Sequence, residues 1–86
     1  MESTGRTLKV YAVKDELTNR FMQPIYCQND KEAERWFYTQ VNEISLWKSN
    51  ASDYSLNALG TFNEETGEFC SNVEKLQNGS AVVERR

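Results

Sequence analysis

The chain has 86 residues, 38% of them hydrophobic and 27% charged, with 10 Lys+Arg against 13 Asp+Glu, no His, one Pro and two Cys. At this size a folded chain buries only roughly 60–65% of the surface it exposes unfolded, so one small domain with a thin core is expected, and partner contacts weigh in its stability. No apolar run reaches the roughly 18 residues of a membrane span, Met1–Gly5 is not a basic segment followed by an apolar one, and aromatics in almost every segment exclude a wholly disordered chain.

Residues 1–7 are small and polar and read as a flexible N-terminus. From Leu8 the side chains alternate, with Leu8, Val10 and Ala12 on one side and Lys9, Tyr11 and Val13 on the other, the period of a strand. Asp15 to Asn19 is turn-like, and Arg20 to Cys27 is extended again, which predicts a hairpin. Pro24 cannot donate to a ladder, so the second strand is expected at an edge or with that position facing outward. Asn29 with Glu32 is a capping-box start, and Ala33, Trp36, Phe37, Gln40, Val41 and Ile44 keep helical spacing, predicting one amphipathic helix over about 30–42. Residues 45–53 connect, with Leu46 and Trp47 expected to tuck onto the core.

Tyr54 to Phe62 alternates with Leu56, Ala58 and Phe62 on one side, and Asn63 to Gly67 turns the chain into Glu68-Phe69-Cys70, a second hairpin. The two turns echo each other as Asp/Asn-Glu-x-Thr-Asn/Gly-x-Phe. In both an Asx side chain caps the turn and the fifth residue must tolerate positive φ. The expected fold is α+β in the order ββαββ, a single domain over 8–75 with a partly ordered C-terminal tail over 76–86.

Pairing Asp15 with Arg20 carries Val13 onto Met22, Tyr11 onto Pro24 and Lys9 onto Tyr26. Leu8, Val10, Ala12, Phe21, Ile25 and Cys27 then share the side that Trp36, Phe37 and Val41 of the helix would cover. One helix cannot cover both sides of a sheet, so Tyr11, Val13, Met22, Pro24 and Tyr26 are expected on an open face beside Lys9. A second copy packing on Tyr11, Val13, Met22, Pro24 and Tyr26 would make a homodimer. Alternatively the tyrosines stack on bases of single-stranded DNA while cations meet phosphates, with Lys9, Tyr11, Lys14, Arg20, Met22 and Tyr26 as the contact set. Another protein surface or the chain's own C-terminal segment are the remaining occupants.

Charge tempers the nucleic-acid reading. Residues 1–43 hold six basic and seven acidic side chains, residues 44–84 two and six, and Arg85 and Arg86 restore two positive charges at a solvated end. Cys27 and Cys70 are far apart with no His in the chain, which excludes a zinc site, and free thiols are expected; Asn50-Ala51-Ser52 and Asn78-Gly79-Ser80 read as loop residues rather than glycosylation sites. With no His, no phosphate loop and no nucleophile elbow, the expectation is a non-enzyme with no catalytic residue, metal or cofactor.

In order along the chain, Val10-Tyr11-Ala12-Val13-Lys14-Asp15, Arg20-Phe21-Met22-Gln23-Pro24, Gln40-Val41-Asn42, Asp53-Tyr54-Ser55-Leu56 and Leu59-Gly60-Thr61-Phe62-Asn63 resemble the small nonstructural protein of gokushoviruses, the VP5 or phage ORF5 family. The resemblance covers residues 8 to about 70 and departs where members commonly have Pro before the acidic residue and this chain has Ala51-Ser52. It implies a protein of the host bacterial cytoplasm, made during infection by a single-stranded DNA bacteriophage and absent from the virion, with a role in single-stranded genome synthesis or packaging. It implies association with DNA, or with a phage or host replication protein, without identifying contact residues.

Overall fold

The computed structural model describes residues 7–84; of the flexible end expected at 1–7, Thr7 opens the first strand and 1–6 lie outside the described residues, as do the two terminal arginines. The fold is α+β. One antiparallel sheet holds β1 (Thr7–Asp15), β2 (Arg20–Phe21), β3 (Ile25–Cys27), β4 (Tyr54–Asn63) and β5 (Phe69–Asn78). The order is β2-β1-β4-β5, with β3 beside β2 along the same edge of β1. The main helix α1 (Asp30–Glu43) and a short α2 (Ser45–Ser49) separate the two hairpins. The expected ββαββ order is met in outline, with the second strand split and one short helix added. No helix among the described residues is long and apolar enough to cross a membrane.

Both turns form as their residues dictate. Asp15 Oδ1 accepts from the N–H of Leu17 at 3.0 Å and Asn63 Oδ1 from that of Glu65 at 2.8 Å. Asn19 and Gly67 then take φ of 63° and 80°. The turn echo in the sequence is therefore an echo in the backbone. At the start of α1, Asn29 Oδ1 accepts from the Glu32 N–H at 2.9 Å, while Glu32 Oε1 accepts from the Gln28 N–H at 2.7 Å, two helix-start contacts of the expected kind.

Two departures reverse the expected faces. First, α1 lies on the other side of β1: Tyr11 and Val13 are buried against Ala33, Phe37 and Val41, with Tyr54, Leu56 and Cys27 completing the core. Both sides of β1 are apolar, so its alternation alone does not select the covered one. Second, β2 and β3 are not one strand. Asp15 pairs with Arg20 as predicted, but Tyr11 pairs with Ile25 and Lys9 with Cys27, one residue out of the predicted register. The extra residue falls at Gln23-Pro24, where Pro24 has no N–H to give, and it keeps Met22, Ile25 and Cys27 all on the helix side. Leu8, Val10, Ala12 and Phe21 consequently lie on the open side. In β4 the register shifts between Val10–Gly60 and Tyr11–Ala58, so Leu59 is extra and Phe62 leaves the face that Leu56 and Ala58 share.

The connection and the tail are more ordered than their composition suggests. Trp47 stacks on Tyr54 with centroids 4.9 Å apart, as expected, but Leu46 is 62% exposed and does not tuck in. After β5, a turn of 3-10 helix at Gly79–Ala81 leads to Val82 and Val83, which pack on the core. Asn42 fastens this end to α1: its Nδ2 donates to the Val82 carbonyl at 3.0 Å and its Oδ1 accepts from the Glu84 N–H at 2.7 Å.

Candidate nucleic-acid interface

Paired residues on neighbouring strands share a face, so the uncovered side of the sheet follows from the register. Tyr26 pairs with Val10, Val10 with Gly60 and Leu8 with Phe62. Phe62 pairs with Phe69, Gly60 with Ser71 and Asn57 with Lys75, which places Val73 on the same side between Ser71 and Lys75. One end of this face is aromatic. The Tyr26 and Phe62 rings are 6.0 Å apart and tilted by 50°, Phe69 adjoins them across the turn, and Tyr26 and Phe69 are 55% and 50% exposed. Val10 and Ala12 are buried small side chains on a central strand flanked on both sides.

The other end is polar and charged. Ser55 Oγ donates to Glu16 Oε2 at 2.6 Å, and the Lys75 and Lys14 ammoniums reach the same carboxylate at 3.5 and 3.9 Å. The Ser55 hydroxyl, ahead of the two lysines, holds the Glu16 carboxyl below the usual range. Lys14 Nζ also stands 5.5 Å from the centre of the Phe21 ring. Aromatic rings and cations thus lie at the two ends of the sheet face opposite α1, with Val10, Ala12, Ser55 and Asn57 buried between them.

The sequence-predicted contact residues are divided by the sheet. Lys14 and Tyr26 are on the open face, and Tyr26 alone of the expected dimer residues projects there from a strand. Tyr11, Val13 and Met22 belong to or pack on the core, Arg20 points to the helix side opposite Asp15, and Pro24 sits in the irregular step between β2 and β3. Lys9 also faces the helix side, where it lines a cleft of about 330 Å³ with Tyr11, Asp30, Thr61 and Glu74. There the Tyr11 hydroxyl donates to Asp30 Oδ1 at 2.6 Å, and burial first, then Asp30, pushes the phenol well above its ordinary range. Burial likewise raises the Cys27 thiol, and both cysteines are free.

Phe21, Phe62, Phe69, Val73 and Lys75 were not anticipated as part of this surface. The signal for two of them was present: a turn at Asn63–Gly67 closes a hairpin in which Phe62 must face Phe69.

No curated protein and no solved structure matches the chain. The model of the family described as Phage ORF5 protein matches residues 8–82, a span running from β1 through the last helical turn. With both hairpins, α1 and the open face all inside that match, the chain belongs to the Phage ORF5 protein family, a family of bacteriophage proteins.

Proposed function

We propose that this phage protein is a nonstructural accessory factor of a single-stranded DNA bacteriophage, acting without a catalytic step in the host cytoplasm during single-stranded genome synthesis or packaging, and that it holds single-stranded DNA on the open face of its sheet. The observation that carries the reading is the grouping of Tyr26, Phe62 and Phe69 with Lys14 and Lys75 on the sheet face opposite α1. Every base has a π-face, so exposed rings such as Tyr26 and Phe69 accept bases regardless of sequence, and lysines at the other end accept phosphates. Gokushoviral origin is part of the same proposal and rests on the ordered motifs.

A second reading takes this face as a site for a phage or host replication protein. It is favoured by the engagement of both lysines with Glu16 and by the net charge of -3. Fluorescence anisotropy with a labelled oligonucleotide at two salt concentrations separates the two. The DNA reading expects saturable binding weakened by salt, and a loss of about tenfold on Tyr26→Ala, the size of one base–aromatic stack. No binding up to tens of micromolar would favour the protein partner, and full binding by Tyr26→Ala would take the DNA off this face.

A further inference from the structure

The sheet has two unequal edges. One carries β2 and β3, two and three residues long and interrupted at Pro24, a short and broken edge that offers little to pair with. The other is β5, ten residues without proline, paired among the described residues with β4 and no other strand, its register against β4 shifting between Gln77 and Lys75 and between Glu74 and Ser71. Among the described residues, no backbone group of Phe69 to Gln77 makes a hydrogen bond outside the β4 ladder. The side chains of Phe69 to Lys75 are all exposed. A strand of this length presents a row of N–H and C=O groups on its free side, the template for another strand.

We propose that the occupant of this edge is a second copy of the chain, pairing β5 against β5 in antiparallel fashion about a twofold axis through Val73, normal to the sheet. Self-pairing about such an axis keeps each residue on its own face, which restricts the register to steps of two. Centring on Glu74 or Lys75 would set like charges opposite each other. Centring on Val73 sets Val73 on Val73, Glu74 opposite Asn72 and Lys75 opposite Ser71, so each charged side chain meets a neutral polar one. Centring on Asn72 sets Cys70 opposite Glu74 and leaves Val73 against Ser71, centring on Ser71 sets Glu68 opposite Glu74, and centring on Leu76 puts Val73 opposite Gly79, beyond the strand; the Val73 register instead joins apolar to apolar, at Val73 and between Cys70 and Leu76. Val73 is 58% exposed in the single chain, and this contact is what covers it. Because the axis is normal to the sheet, the two open faces lie on the same side of one continuous sheet.

This dimer does not depend on DNA binding, and its test uses no nucleic acid. Sedimentation equilibrium of the full chain is expected to show a dimer, with a dissociation constant in the micromolar range that suits a small edge contact. Val73→Asp places two carboxylates face to face and is expected to sediment as a monomer with an unchanged circular dichroism spectrum, whereas Tyr26→Ala is expected to remain dimeric. In a Cys70→Ser background, Val73→Cys is expected to cross-link into a covalent dimer on mild oxidation. Wild-type protein that is monomeric up to about 100 μM would overturn the proposal, as would a dimer that survives Val73→Asp or is lost in Tyr26→Ala.

Discussion

Tyr11 shows how one side chain can be polar in sequence and core in structure. Its ring is fully buried beside Phe37, while its hydroxyl reaches the Asp30 carboxylate at the first turn of α1, so the apolar body packs and the polar tip is satisfied. The contact should be worth about 1.5–3 kcal/mol at neutral pH, as for other hydrogen bonds to a charged group. Its titration has a definite sign. The folded phenol holds its proton more tightly than the unfolded one, so this contribution is complete below the ordinary tyrosine range near 10 and is lost as pH rises from there toward the folded value. Tyr54 is raised in the same direction, chiefly by burial and then by Asp15 and Asp53. Urea unfolding at pH 8 and near pH 11 is therefore expected to show a smaller loss of stability in Tyr11→Phe than in wild type. Equal losses would place the alkaline sensitivity elsewhere.

At the scale of elements, each irregular step in a strand redirects everything after it. The extra residue at Gln23-Pro24 keeps Met22 and Cys27 on the same side although five positions separate them. The extra Leu59 sends Phe62 to the open face and brings Gly60 close to β5. Gly60 has φ of 148°, and a Cβ there would lie 1.9 Å from the Cys70 carbonyl oxygen, a backbone atom that cannot move without opening the β4–β5 ladder. Gly60→Ala is expected to cost about 2 kcal/mol or more, lowering the melting temperature by roughly 10 °C. A melting point within a degree or two of wild type would contradict that account of the bulge. The turns are more forgiving, since Asn19 and Gly67 occupy the same left-handed position with different residues.

At the scale of the molecule, charge decides how tightly a single strand can be held. Two lysines on the open face predict a salt slope of log affinity of only about −1 to −2, shallow beside a duplex binder. Glu16 stands in their way, occupying Lys14 and Lys75 as a phosphate would. Glu16→Gln leaves Ser55 an oxygen to donate to while removing the competing charge, and it should tighten oligonucleotide binding by roughly two- to fivefold in the same anisotropy assay. Unchanged or weaker binding would mean that the lysines do not meet the strand. In the proposed dimer the two aromatic ends sit on one side of a shared sheet, so occupancy by a longer oligonucleotide and self-association should reinforce each other.

Much of the architecture was legible because its causes are local. Asn29 with Glu32 starts α1, Ala33, Phe37 and Val41 line its buried stripe, and the Asp15 and Asn63 turns close two hairpins, since each depends on residues within a few positions of one another. The ordered motifs also carried the phage family. What the residues of β1 could not decide was which of their two apolar sides the helix covers. β3 and β4 both run antiparallel to β1, hence parallel to each other, and α1 is the crossover between them; the handedness of such a crossover is a property of the assembled sheet and selects the covered side. A one-residue slip at Pro24 and another at Leu59 then assigned the remaining side chains, because strand alternation has a period of two and an odd insertion inverts it. Local chemistry therefore specified the elements, while strand order and two bulges decided that Tyr11 lies in the core and Phe62 and Phe69 face outward.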